Sequence, residues 1–151
     1  MKIAEALLLR ADLQKKLASL RERSIKYAVT QEGVDLPEDP KALIKESVSV
    51  LKELEKLVCK INKANSDTTL SDGRTIAEAI AGRERLAKQH SLLQAVLEGS
   101  SHEPDRYSMS EIKWISTVNV KSMQKELEDI SKKLRELNAK IQEMNWQAEL
   151  A

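Results

Sequence analysis

From Val120 to Ala148 the apolar side chains fall in an unbroken alternation of three- and four-residue steps. The positions are Val120, Met123, Leu127, Ile130, Leu134, Leu137, Ile141, Met144 and Ala148. That spacing keeps one face of an α-helix apolar through four heptads. It predicts a helix over about 119–148, ~29 residues and roughly 43 Å long at ~1.5 Å per residue. On the outer face Glu128 and Lys132, Asp129 and Lys133, and Glu136 and Lys140 stand four apart in the favourable order.

Three more helices follow from the same periodicity. The first is expected over about 2–28, with Ile3, Ala6, Leu13, Leu17, Leu20 and Tyr27 as its seam and Arg10 and Ser24 as polar interruptions. The second is expected over about 40–64, with Asp39 as N-cap and Pro40 at the first helical position, where a missing N–H costs nothing. Ile44, Val48, Leu51, Leu54, Val58 and Ile61 form its stripe, and Val50 and Leu57 widen it toward a second neighbour. The third, over about 75–98, opens with the capping-box pair Thr75 and Glu78 and carries Ile76, Ile80, Leu86, Leu93 and Leu97.

One segment breaks the helical period. Ile112, Trp114 and Val118 alternate with Lys113 and Thr117, a two-residue period. A strand needs a partner, and Thr68, Thr69 and Leu70 are the best candidates. The expected fold is therefore mostly α: one domain, 1–151, of long coiled-coil-type helices in a bundle. A small two-stranded β-ribbon, about 66–70 with 111–118, closes one end.

Composition supports the helices. Aromatics are 3% with no Phe, and charged residues are 32%. The core must therefore be aliphatic, which suits long helices better than a compact globule. Net charge is +1, so no global attraction to nucleic acid or an anionic membrane arises. The distribution is uneven. Residues 1–28 hold seven basic and three acidic side chains, whereas Glu32, Asp35, Glu38 and Asp39 crowd residues 31–39. Local compensation is the first reading and a basic docking face the second. Cys59 is alone, which suits a reducing cytoplasm. No signal peptide or transmembrane stretch is read.

Candidate chemistry is sparse. Ser110-x-x-Lys113 matches a nucleophile motif of penicillin-binding enzymes, but its companion motifs are absent. His90 reads as a core histidine and Cys59 as an inert, partly buried thiol. No His, Cys and carboxylate cluster has zinc spacing, and no phosphate loop occurs, so no cofactor or metal is expected. Asp72-Gly73-Arg74-Thr75 reads as a turn and helix cap, with an anion site as the sharper alternative. The polar loops are expected to meet at the ribbon end, which gathers Asn65, Ser66, Asp67, Arg74, Arg106, Tyr107, Ser108, Glu111 and Lys113. Such residues can knit loops together or bind a ligand.

The runs Lys60-Ile61-Asn62-Lys63, Asp72-Gly73-Arg74-Thr75, Asp105-Arg106-Tyr107-Ser108, Ser110-Glu111-Ile112-Lys113 and Gln142-Glu143-Met144-Asn145-Trp146 resemble a family of short bacterial proteins described as septicolysin-like. The resemblance spans nearly the whole chain and transfers no catalytic or binding residue; the family name implies a membrane-active cytolysin. From the residues themselves the expectation is a non-enzymatic, self-associating helical scaffold or interaction protein, a homo-oligomer through its heptad seams. The alternative is a nucleic-acid or anion-binding module using the basic first helix and the polar loop end.

Overall fold

Three of the helices begin where an orphan backbone N–H finds a side-chain acceptor. The structure, a computed structural model, describes residues 1–101 and 112–151. Its helices are α1 (Ile3–Lys26), α2 (Pro40–Asp67), α3 (Ile76–Gly99) and α4 (Val120–Gln147). At α1 the Glu5 carboxylate accepts from the Lys2 backbone N–H at 2.6 Å. At α2 the Asp39 carboxylate accepts from Lys41 N–H at 3.1 Å, just ahead of Pro40 at the start. At α4 the Asn119 side chain accepts from Ser122 N–H at 2.9 Å.

The chain divides into two compact units, Met1–Ile76 with Gln142–Ala151, and Ala77–Ile141. In the first unit α1 and α2 form an antiparallel pair. Lys16 meets Glu46 at 2.9 Å, and Arg23 meets Glu38 at the turn between them. That register sets two strict seven-residue rows level with each other. Ala6, Leu13 and Leu20 come from α1, and Leu57, Val50 and Leu43 from α2; all six are buried in one cluster with Ile61. Leu9, Leu17 and Leu54 pack against its edges. The C-terminal segment belongs to this unit and fastens onto the N-terminus. Ile3 N–H donates to Ala148 O at 3.1 Å, and Leu150 N–H to Met1 O at 2.7 Å.

In the second unit α3 and α4 also run antiparallel. Arg83 donates to the Asn138 side chain at 3.1 Å, while His90 and Gln94 share a groove with Leu127 and Ser131. Ala79, Leu86, Ile130, Leu137 and Ile141 are buried. Leu93, Leu97, Leu127 and Leu134 are only half-buried, so packing loosens away from the Arg83 end.

The expected β-ribbon does not form among the described residues. Thr68–Leu70 pair with the residues just after them. Leu70 N–H donates to Arg74 O at 2.7 Å, Gly73 N–H to Leu70 O at 3.0 Å and Ile76 N–H to Thr68 O at 2.9 Å, around a single antiparallel bridge between Thr69 and Thr75. Gly73, at φ +87°, supplies the left-handed residue that this tight reversal requires. The edge of residues 68–70 is thus occupied locally. Residues 112–118 take no regular structure, and Ile112, Trp114 and Ile115 are exposed. Glu111, the expected start of the second strand, lies outside the described residues. Alternation alone was a false signal: it needs a free partner edge to become a ladder.

A second correction concerns which face of α2 is covered. Ile44, Val48 and Leu51, three of the six residues expected in its seam, are 54%, 45% and 49% exposed. Leu43, Val50 and Leu57 are buried instead. The seven-residue row on α2 matches the row on α1, so the antiparallel pair closes on it and leaves the other stripe outside.

Candidate functional site

The polar residues singled out from the sequence fall in different places. Asn65, Ser66 and Asp67 end α2, and Arg74 stands in the turn that follows. Their polar groups serve the local backbone and each other. Ser66 Oγ donates to Asn62 O at 3.1 Å, Lys63 pairs with Asp67, and Arg74 binds Asp72 through Nε at 3.2 Å and a terminal nitrogen at 2.8 Å. Asp72 also accepts from the Arg74 N–H at 3.1 Å. An incoming anion would have to compete with a carboxylate already held by two guanidinium bonds. Lys113 is exposed in the irregular segment of the second unit. Arg106, Tyr107, Ser108 and Glu111 lie outside the described residues, as do His102 and Ser110.

The surface with the most distinctive chemistry is one flank of the α1–α2 pair, whose α2 residues the sequence placed in a heptad stripe. Helical geometry places Ile44, Val48 and Leu51 at successive turns of α2, on the side away from Glu46. Leu17 of α1 and Leu54 of α2, both half-buried, lie between that stripe and the core. On α1, Arg10 and Arg21 rise on the same flank, and Lys41, Lys45 and Lys52 line the outer edge of the α2 stripe. Among the described residues none of these five cations makes an ion pair. Among the described residues the acids beside them are Glu55, within the row, and Asp39, which caps α2 next to Lys41. The opposite flank differs: there Lys16 is paired with Glu46 and Arg23 with Glu38. The excess positive charge of residues 1–28 is therefore neutralised on one side of the hairpin and left open on the other, beside exposed aliphatic groups.

Two further features are plain. His90 is half-buried and lines the α3–α4 groove with Gln94, Leu97, Glu128, Ser131 and Arg135, a mixed polar surface of both charge signs. Cys59 is exposed, not partly buried as the sequence suggested. Among the described residues, no group of three or more His, Cys, Asp or Glu could hold a metal ion, and no helix is long and apolar enough to cross a membrane.

Comparison with known proteins defines the class. Residues 10–150 match a family of unknown function, DUF6847, and the chain belongs to it. It is similar throughout to a crystal structure of a functionally unknown conserved protein from Corynebacterium diphtheriae, at 34% identity and a TM-score of 0.91, covering 100% of this chain and 99% of that one. No curated protein matches the sequence. The septicolysin-like resemblance is thereby overturned: the family shown is a different one. One of the runs that carried it, Asp72-Gly73-Arg74-Thr75, is a tight turn feeding a helix, a run that recurs wherever such a turn occurs.

Proposed function

We propose that this chain is a non-enzymatic interaction protein that docks a partner on the exposed flank of α1 and α2. The observation that carries the reading is the half-exposed row Ile44, Val48 and Leu51, on a helix whose opposite row is fully used in the core. Covering the exposed half of each side chain would contribute roughly 1 kcal/mol per residue, from the usual value for full burial. Leu17 and Leu54 extend the apolar surface inward, so a helix laid along the flank meets a shallow groove rather than a single ridge. The absence of catalysis is read from the sequence, where Ser110-x-x-Lys113 stands without the companion groups that acyl transfer needs. The test is a photo-reactive amino acid placed at Leu51 in cells, with Glu22 on the far side of α1 as control. A discrete cross-linked protein at Leu51 and none at Glu22 supports the reading. No adduct at Leu51, or turnover of generic ester or phosphate substrates by the purified protein, overturns it.

Self-association is the second reading, favoured by apolar surface elsewhere. Leu92 and Val96 of α3 are exposed, and Val96 lines a hollow with Trp114, Ile115 and Val118. A second copy would cover those residues. A protein that stays at 17.0 kDa by light scattering at high concentration excludes it.

A further inference from the structure

The charge on the α1–α2 flank says what kind of partner it takes. Five cations border an aliphatic row, against two acids, Glu55 within it and Asp39 at its N-terminal end. A second copy docking through the same flank would set Arg10, Arg21, Lys41, Lys45 and Lys52 against their own images. Like charges brought together across a closing interface oppose it, and only three half-exposed side chains of each copy stand against them. The flank therefore selects against itself. A nucleic acid would satisfy the cations but strand Ile44, Val48 and Leu51 against a polar backbone, and the flank offers no aromatic ring on which a base could stack. A lipid surface would suit the signs. However, interfacial helices carry Trp, Phe or Leu anchors along a wide apolar face, whereas here the row is one residue wide and backed by a groove between two helices.

Resting on the interaction reading above, we infer that the partner is an acidic amphipathic helix, with aliphatic side chains facing Val48 and Leu51 and carboxylates along both rims. Such a helix packs as the third strand of a coiled coil, its apolar positions filling the groove floored by Leu17 and Leu54. Its carboxylates reach Lys41, Lys45 and Lys52 on one side and Arg10 and Arg21 on the other. The spacing of Lys45 and Lys52, one heptad apart, matches a partner with Glu repeating at the same interval. Arg21 and Arg10 give the opposite rim two attachment points three turns apart along α1.

The experiment uses the full chain and two synthetic probes of three heptads each. One carries Leu and Ile on its apolar face with Glu at the flanking positions, and the other carries Lys there. Anisotropy and amide shift mapping are read with the wild type and with Lys45→Glu/Lys52→Glu, whose exposed positions leave the fold intact by circular dichroism. The acidic probe binds at least about tenfold more tightly than the basic one, and the double variant, which trades two of the five cations for acids, loses that preference, because rim charges set partner choice. Shifts centre on Val48 and Leu51, and binding weakens as salt rises. Equal binding of the two probes to the wild type, or shifts centred elsewhere, overturns the inference. Stronger binding to vesicles containing phosphatidylserine than to the acidic probe overturns it in favour of a lipid. A dimer lost on Leu51→Glu overturns it in favour of a second copy. The interaction reading falls separately: a discrete adduct at Leu51 with a partner lacking acidic rims sinks only the inference, and no adduct sinks the reading itself.

Discussion

Lys2 and Glu149 meet at 2.7 Å, and the same carboxylate takes a second bond from the Met1 ammonium at 3.0 Å. With the backbone bonds of Ile3 and Leu150, this contact ties the start of α1 to the C-terminal segment, closing the first unit on itself. A bond spanning nearly the whole sequence removes fraying at both ends together.

The clasp is pH-dependent, with a definite sign. The Lys2 ammonium, and next the N-terminal ammonium, hold the Glu149 carboxyl below the usual carboxylate range. A carboxylate with a depressed folded value contributes stability that is fully present above its unfolded value and is lost as pH falls through the folded one. Proton-detected titration should place Glu149 below the other glutamates, and Lys2→Met should move it back toward them. Amide exchange at Ile3 and Leu150 should quicken in acid for the wild type and be fast at all pH values in Glu149→Gln. A Glu149 that titrates with the bulk would remove the clasp from the account.

The two rows on α2 should respond differently to mutation. Leu13 and Val50 sit level in the buried cluster, so Leu13→Ala should cost about 2–5 kcal/mol in urea unfolding. Val48→Ser and Leu51→Ser lie on the exposed row and should each stay within about 1 kcal/mol of wild type. Equal losses at Leu13 and Leu51 would mean that the flank is covered in solution.

Asn145 is 4% exposed, and its Oδ1 has no hydrogen-bond partner among the described residues. A buried acceptor left unpaired costs about 1–3 kcal/mol. Asn145→Leu, which keeps the branched shape without the polar atoms, should hold or raise the urea midpoint, and Asn145→Asp should lower it by placing a charge in the same pocket. A loss above about 1 kcal/mol in the Leu variant would show that the amide holds this end of α4 in place.

The sequence made the helices legible for identifiable reasons. Asp39-Pro40 and the steps from Val120 to Ala148 each encode a local requirement that nothing distant has to satisfy. The errors lie where the answer depended on a neighbour. Residues 112–118 alternate like a strand, but whether a ladder forms rested on the edge of Thr68–Leu70, and Gly73 had already turned the chain back onto it. On α2 two apolar rows were visible, and periodicity cannot say which one the fold covers. The deciding clue was the matching seven-residue spacing of Ala6, Leu13 and Leu20 with Leu43, Val50 and Leu57. The open flank was illegible for the same reason, because periodicity shows an apolar row without showing whether the chain itself covers it. Of the polar loop residues, Arg74 already has its carboxylate in Asp72 two residues away.

The stripe of α4 permits a sharper test of where any second copy binds. Its heptads would suit a helix from another copy, yet Ile130, Leu137 and Ile141 are already buried within the chain at 4%, 5% and 2% exposure. Leu134, between them, is half-buried. Leu134→Glu with Ile141→Glu therefore puts a carboxylate into a closed site, where an unpaired charge costs several kcal/mol, on top of the apolar burial lost. Against a total stability of about 5–15 kcal/mol for a domain of ordinary size, the double variant should lose helicity by circular dichroism or melt at much lower temperature. Val96→Glu, on exposed α3 surface, should leave helicity unchanged while reducing any self-association seen by light scattering. A double variant that dissociates yet keeps its helical signal would instead make the α4 stripe an interface between copies, with the helix pairing of the second unit exchanged between chains.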